Sequence, residues 1–154
     1  MLNLKFIPFI FLIFASLLIL ISCGKEPQPI NYGYDECEFC RMLITDNKYG
    51  AELVTDKGKI YKFDSIECLV DFSLVENTLG DMKQTLLVTD FYNPEQFIDC
   101  RASVYVRNND FRSPMGLNVS AFKNKTEMQK FISESGGEQL SWIEVIELVK
   151  LRSM

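Results

Sequence analysis

Histidine is missing from all 154 residues, tryptophan occurs once, at Trp142, and no basic cluster stands against the acidic excess. Without imidazole there is no His-based general acid or base, and neither a Ser-His-Asp nor a Cys-His nucleophile pair can be assembled. A formal charge of −5, from 16 basic and 21 acidic residues, argues against nucleic acid as a partner. The first apolar run, residues 6–21, is broken by Pro8 and falls short of the ~20 residues that span a bilayer as a helix.

That run reads instead as the core of an export signal, preceded by Lys5. Leu20-Ile21-Ser22-Cys23-Gly24 resembles the lipobox of bacterial lipoproteins. The resemblance implies cleavage after residue 22 and a diacylglyceryl group on the Cys23 sulfur. Such an anchor places the chain in the cell envelope, on the periplasmic side of a membrane. Gly24 lacks the aspartate associated with inner-membrane retention, which favours the outer membrane. Residues 23–31, polar and interrupted by Pro27 and Pro29, read as a tether.

The remaining chain reads as α+β, with one element order occurring twice. A short strand over 42–45 leads into runs at 49–55 and 59–63, which flank Asp56-Lys57-Gly58 as a hairpin. Asp64 and Glu67 have the spacing of a capping box, and apolar spacing continues as a helix over 65–77. A strand over 85–89 completes ββαβ. Strands over 102–107 and 116–122 follow. A helix capped by Asn124 and Glu127 then runs to about residue 133 and is ended by Gly136-Gly137. A strand over 139–144 completes a second ββαβ. The expected division is 1–22 signal, 23–31 tether, 32–92 first unit and 93–154 second unit, with Phe91-Tyr92-Asn93-Pro94 at the junction.

Cys37-Glu38-Phe39-Cys40-Arg41-Met42 places three sulfurs in six residues. A C-x-x-C turn brings two thiols to one point, and an extended stretch from Cys40 to Met42 would put their side chains on one face. Thiolate and thioether together select copper(I), because soft donors favour soft cations. Zinc prefers four nitrogen or anionic sulfur ligands. Met115, in Ser113-Pro114-Met115-Gly116, is a fourth donor candidate held in a turn, although methionine also serves as a core plug.

Other readings of these residues stay open. Cys37 and Cys40 could form a disulfide in an oxidising compartment. They could also act as a thiol-disulfide pair, although that chemistry places C-x-x-C at a helix N-terminus. Cys68 could be a core residue, a third thiol for the metal or a disulfide partner of Cys100. Asp35, Asp46, Asp64 and Glu67 read as caps and turn formers, so no catalytic carboxylate pair is expected and the chain does not read as an enzyme.

The motif Tyr34-Asp35-x-Cys37-x-x-Cys40-x-Met42 is followed by Tyr49-Gly50-Ala51-Glu52-Leu53-Val54-Thr55 and by Gly58-Lys59-Ile60-Tyr61-Lys62-Phe63-Asp64-Ser65-Ile66-Glu67-Cys68. Ile98-Asp99-x-Arg101-x-x-x-Tyr105-Val106, Ser113-Pro114-Met115-Gly116, Ala121-Phe122 and Gly136-Gly137 come next. In this order they resemble the NosL family of nitrous oxide reductase accessory proteins. The resemblance implies a copper(I)-binding lipoprotein of two ββαβ units, related in fold to the organomercurial lyase MerB. It implies metal ligands at Cys37, Cys40, Met42 and Met115, and delivery to nitrous oxide reductase or its maturation machinery. Two features depart from the family pattern. Arg41 stands where glycine is common, and the histidines that many members carry are absent.

Overall fold

The hairpin around Gly58 sets the first sheet. In the computed structural model, which describes residues 25–152, β1 (Ala51–Val54) pairs antiparallel with β2 (Ile60–Phe63), Ala51 opposite Phe63 and Val54 opposite Ile60. All four β1 residues are buried, so this strand needs neighbours on both edges. β3 (Thr85–Thr89) supplies the second, and β4 (Phe97–Asp99) extends the sheet to the order β2-β1-β3-β4. The helix α1 (Ile66–Val75) joins β2 to β3.

The second half repeats this plan. β5 (Val104–Arg107) is central, flanked by β6 (Val119–Phe122) and β7 (Glu138–Leu140) in the order β6-β5-β7. α2 (Lys125–Ser135) crosses from β6 to β7. It starts as expected, with the Glu127 N–H donating to Asn124 Oδ1 at 3.0 Å and Asn124 Nδ2 donating back to Glu127 Oε1 at 3.1 Å. Gly136, at φ 74°, ends it. The architecture is therefore α+β, with ββαβ occurring twice.

Three local expectations are corrected. The strand over 42–45 is only an isolated bridge between Glu36 and Leu43. The strand over 139–144 stops at Leu140, and Trp142 opens a third helix, α3 (Trp142–Arg152). The cause is a second capping box: the Glu144 carboxylate accepts the Ser141 N–H at 2.7 Å and hydroxyl at 2.6 Å. The tether also ends early. The Gln28 N–H donates to Glu52 Oε1 at 3.1 Å, Lys62 Nζ donates to the Pro29 carbonyl at 2.8 Å, and Ile30 is buried. The polar look of this segment conceals that Glu52, wholly buried in β1, needs a donor. Gly50 admits this strap, since a Cβ there would lie 2.8 Å from both Ile30 Cδ1 and the Tyr32 hydroxyl.

One apolar core joins the halves. Ile44, Leu53, Phe63, Leu69 and Leu86 from the first meet Tyr105, Val119, Val145 and Val149 from the second. Each such side chain contributes about 1.5–3 kcal/mol on burial. α3 packs against both α1 and β5, which leaves α1 enclosed between its own sheet and the second half.

Candidate metal centre

The C-x-x-C segment is a tight loop stitched to β2. The Arg41 N–H donates to the Cys37 carbonyl at 3.0 Å, and the Cys37 N–H donates to the Met42 carbonyl at 2.8 Å. The Glu38 N–H donates to the Lys62 carbonyl of β2 at 2.8 Å. Arg41 has φ 64°, a left-handed conformation that costs a side-chain-bearing residue about 1–2 kcal/mol. The extended run from Cys40 to Met42 is thus replaced by a reversal at Arg41. The resemblance noted above implies glycine at this position, and glycine adopts such a φ without the clash of a Cβ.

The reversal lays the loop over the start of α1. The Cys37, Cys40 and Cys68 sulfurs and an oxygen of Asp64 lie within 4.8 Å of one another. Asp64 and Cys68 are four residues apart, across the turn that leads from β2 into the helix. The N-cap is Ser65, whose Oγ accepts the Cys68 N–H at 3.5 Å. Because Ser65 caps the helix, Asp64 is left to face the thiols; its reading as a cap is corrected. The Cys40 thiol donates to Asp64 Oδ2 at 3.5 Å, while Oδ1 is buried without a hydrogen-bond partner.

The electrostatics divide the three thiols. A hydrogen bond from the Cys68 thiol pulls Cys37 down from its ordinary 9.0 to about 6. Burial opposes this, and the backbone N–H groups of Cys40, Asp64 and Phe39 assist it. Cys40 goes up to about 11, chiefly through burial, with the neighbouring Cys37 and Asp64 charges adding to the rise. Cys68 is held well above its ordinary value by donating to Cys37, and then by burial. Cys37 is therefore the sulfur that gives up its proton most readily, and Cys40 and Cys68 hold theirs more firmly. A cation entering it must displace the remaining protons. Three sulfurs and a carboxylate suit a soft or borderline cation better than magnesium or calcium.

Of the candidate ligands, Cys37 and Cys40 are brought together, and Cys68 and Asp64 join them. All four described cysteines are unbridged, and Cys100 lies outside this cluster. Met42 is 47% exposed. Met115, half-buried, packs against the same core and lines a cavity of about 810 Å³ with Phe39, Leu74 and Val75. Phe39 lies between the two loop cysteines, so the Met115 turn reaches the neighbourhood of the loop. Cys23 lies outside the described residues. The two added donors flank the N-cap Ser65, and their approach to the loop depends on its reversal at Arg41.

Comparisons with known proteins bear on the family of the chain. The family model NosL matches residues 30–149. A curated relative, the copper-binding lipoprotein NosL of Stutzerimonas stutzeri, is 26% identical over 141 residues, covering 82% of this chain and 73% of the relative. The crystal structure of the copper chaperone NosL from Shewanella denitrificans superposes with a TM-score of 0.65 at 28% identity, covering 79% of this chain and 96% of the solved one. With the motif order, the repeated ββαβ plan and a family match that runs through both sheets, this chain belongs to the NosL family.

Proposed function

We propose that this chain is a copper(I) chaperone of the cell envelope, anchored through a lipid on Cys23, and that it acts as a carrier and not as an enzyme. The observation that carries the reading is the meeting of Cys37, Cys40 and Cys68 with Asp64 at one point. The copper-binding name of the Stutzerimonas stutzeri relative supports it. Among the described residues no helix is long and apolar enough to cross a membrane. A membrane attachment of this part would therefore run through the lipid, on the periplasmic face and with the outer membrane favoured.

In this reading the Cys37 thiolate receives the ion and Cys40 becomes its second anionic ligand, with Asp64 placed to take the Cys40 proton. Cys68 is the third thiol. Met42 and Met115 complete the soft set as thioethers. Cys37 and Cys68 are fully buried, whereas Cys40 is half-buried and Met42 exposed. The exposed donors are thus the ones an acceptor's ligands reach first, and exchange proceeds there while the buried sulfurs retain the ion. The acceptor is nitrous oxide reductase or its maturation machinery.

Reduced mature protein titrated with copper(I) against a chromogenic chelator is expected to bind one equivalent. Cys37→Ser and Cys40→Ser are expected to lower the affinity about a hundredfold or more, and Met42→Ala about tenfold, while Cys100→Ser leaves it unchanged. Failure to compete with the chelator would refute the chaperone reading. If the protein instead cycled a C-x-x-C disulfide with small thiols and bound no copper(I), the thiol-disulfide role would replace it.

A further inference from the structure

We infer that Glu67 and Arg152 are positioning residues for the Met115 thioether, holding its turn against the helix that carries Cys68. The inference rests on Met115 being a copper(I) ligand, as proposed above. It adds two residues that touch no metal but fix where that ligand stands.

Glu67 is wholly buried, one residue before Cys68. Its Oε1 accepts the Ser113 hydroxyl at 2.5 Å and the Leu117 N–H at 2.9 Å, gripping the Met115 turn on both sides. Its other oxygen, Oε2, is buried with no hydrogen-bond partner. A buried carboxylate is costly to maintain, and an apolar side chain of similar size would pack with less penalty. What a carboxylate gives instead is one fixed placement, because two donors on different sides of a turn converge on a single oxygen.

The turn itself is stiffened from within. The Asn118 N–H donates to Ser113 Oγ at 2.9 Å, Asn118 Oδ1 accepts the Ser113 N–H at 3.1 Å, and the Gly116 N–H donates to the Ser113 carbonyl at 3.0 Å. A second fastening comes from the far end of the chain. Arg152, at the end of α3, donates from Nη1 to the Met115 carbonyl at 3.1 Å and from Nη2 to Asp71 Oδ2 on α1 at 2.7 Å. One guanidinium therefore ties α3, the Met115 turn and α1 together. Both fastenings end on α1, one and three residues from Cys68, so the placement of Met115 is referred to the same helix as a thiol of the centre.

Non-additivity tests this, because residues that act through one group lose their effect once that group is gone. Arg152→Ala and Glu67→Ala would each be measured alone and combined with Met115→Ala, by copper(I) competition on protein whose fold is verified by circular dichroism. Arg152→Ala is expected to lower affinity about tenfold in the parent and to add nothing in Met115→Ala. Glu67→Gln keeps an oxygen acceptor and is expected to restore most of what Glu67→Ala loses. If Glu67→Ala does not fold, Arg152→Ala, on a side chain that is 30% exposed, decides alone. Equal losses in both backgrounds, or no loss from Arg152→Ala in the parent, would overturn the positioning role while leaving the chaperone reading intact. No effect of Met115→Ala on affinity would instead remove Met115 from the ligand set, and this inference with it.

Discussion

The two ββαβ halves share a plan and differ in where their helices lie. Phe63 and Phe122 are equivalent, each ending a second strand opposite the first residue of the central one, and Ser65 and Asn124 cap the helices that follow. Seven of the ten α1 residues are buried, but only Met128 and Phe131 of the eleven in α2. α1 is enclosed by the second half, whereas α2 keeps one face in water. By this alignment Asp64 and Cys68 correspond to Lys123 and Glu127. The same junction thus yields an enclosed cluster of thiols and a carboxylate in one half and a part-buried helix cap in the other. The lesson is that enclosure makes a helix start a candidate metal centre: the motif supplies donors, and the neighbouring half encloses the helix that carries one of them.

The largest expected contrast is between these equivalent positions. Cys68→Ser should lower copper(I) affinity about a hundredfold, while Glu127→Ala should leave affinity alone and cost about 0.5–1.5 kcal/mol of stability through the hydrogen bond it accepts from Asn124. Equal affinity losses from the two changes, in chelator competition, would erase the distinction between the halves.

The central strands offer a second contrast. Glu52 of β1 and Tyr105 of β5 occupy equivalent registers, and both are fully buried. Burial raises Glu52 from 4.5 to about 7, despite the Gln28 N–H and Lys62. Its contribution is fully present below pH 4.5 and is lost as pH rises through about 7, because the native state holds the proton more tightly than the unfolded chain does. Glu52→Gln removes that titration and retains an acceptor for Gln28. Relative to the parent it should gain about 1–2 kcal/mol between pH 4.5 and pH 8 in denaturant melts. Tyr105, held well above 10 by burial, stays neutral throughout this range, so Tyr105→Phe should show no such pH dependence.

The smallest effect compares the two methionine-bearing loops. Gly116 takes φ 83° after Met115, whereas Arg41 takes φ 64° before Met42. Arg41→Gly relieves the left-handed strain and gives up an exposed ion pair to Glu38 at 3.2 Å, worth little in water. A net stabilisation of about 0.5–1 kcal/mol is expected by thermal or urea melting. A lower melting temperature would mean that the loop depends on the arginine.

Local chemistry made much of this legible. The Gly58 hairpin, the Asn124 cap and the Gly136-Gly137 stop each follow from a few neighbouring residues, and the structure keeps them. What stayed hidden needed either a competing local signal or a distant partner. Ser141-Trp142-Ile143-Glu144 carries a capping box, but its β-prone aromatic and branched residues mask it. Asp64 and Ser65 both suit an N-cap, and only the path of the chain shows that Ser65 takes the role. The joining of Cys68 to Cys37 and Cys40 depends on the loop folding back onto α1. No spacing in the chain encodes that approach.

The strap at Gln28 and Pro29 has a mechanical consequence. With the chain pinned to Glu52 and Lys62 at Gln28 and Pro29, a lipid at Cys23 would stand five residues before the first pinned position, a span of about 17 Å when drawn straight. Lys62 also grips Asp35 at the root of the cysteine loop, at 2.7 Å. The pinned end and the cysteine loop therefore share one lysine, and a chain moored as proposed would patrol a thin layer above the lipid headgroups, meeting acceptors at the membrane surface and not in the open compartment.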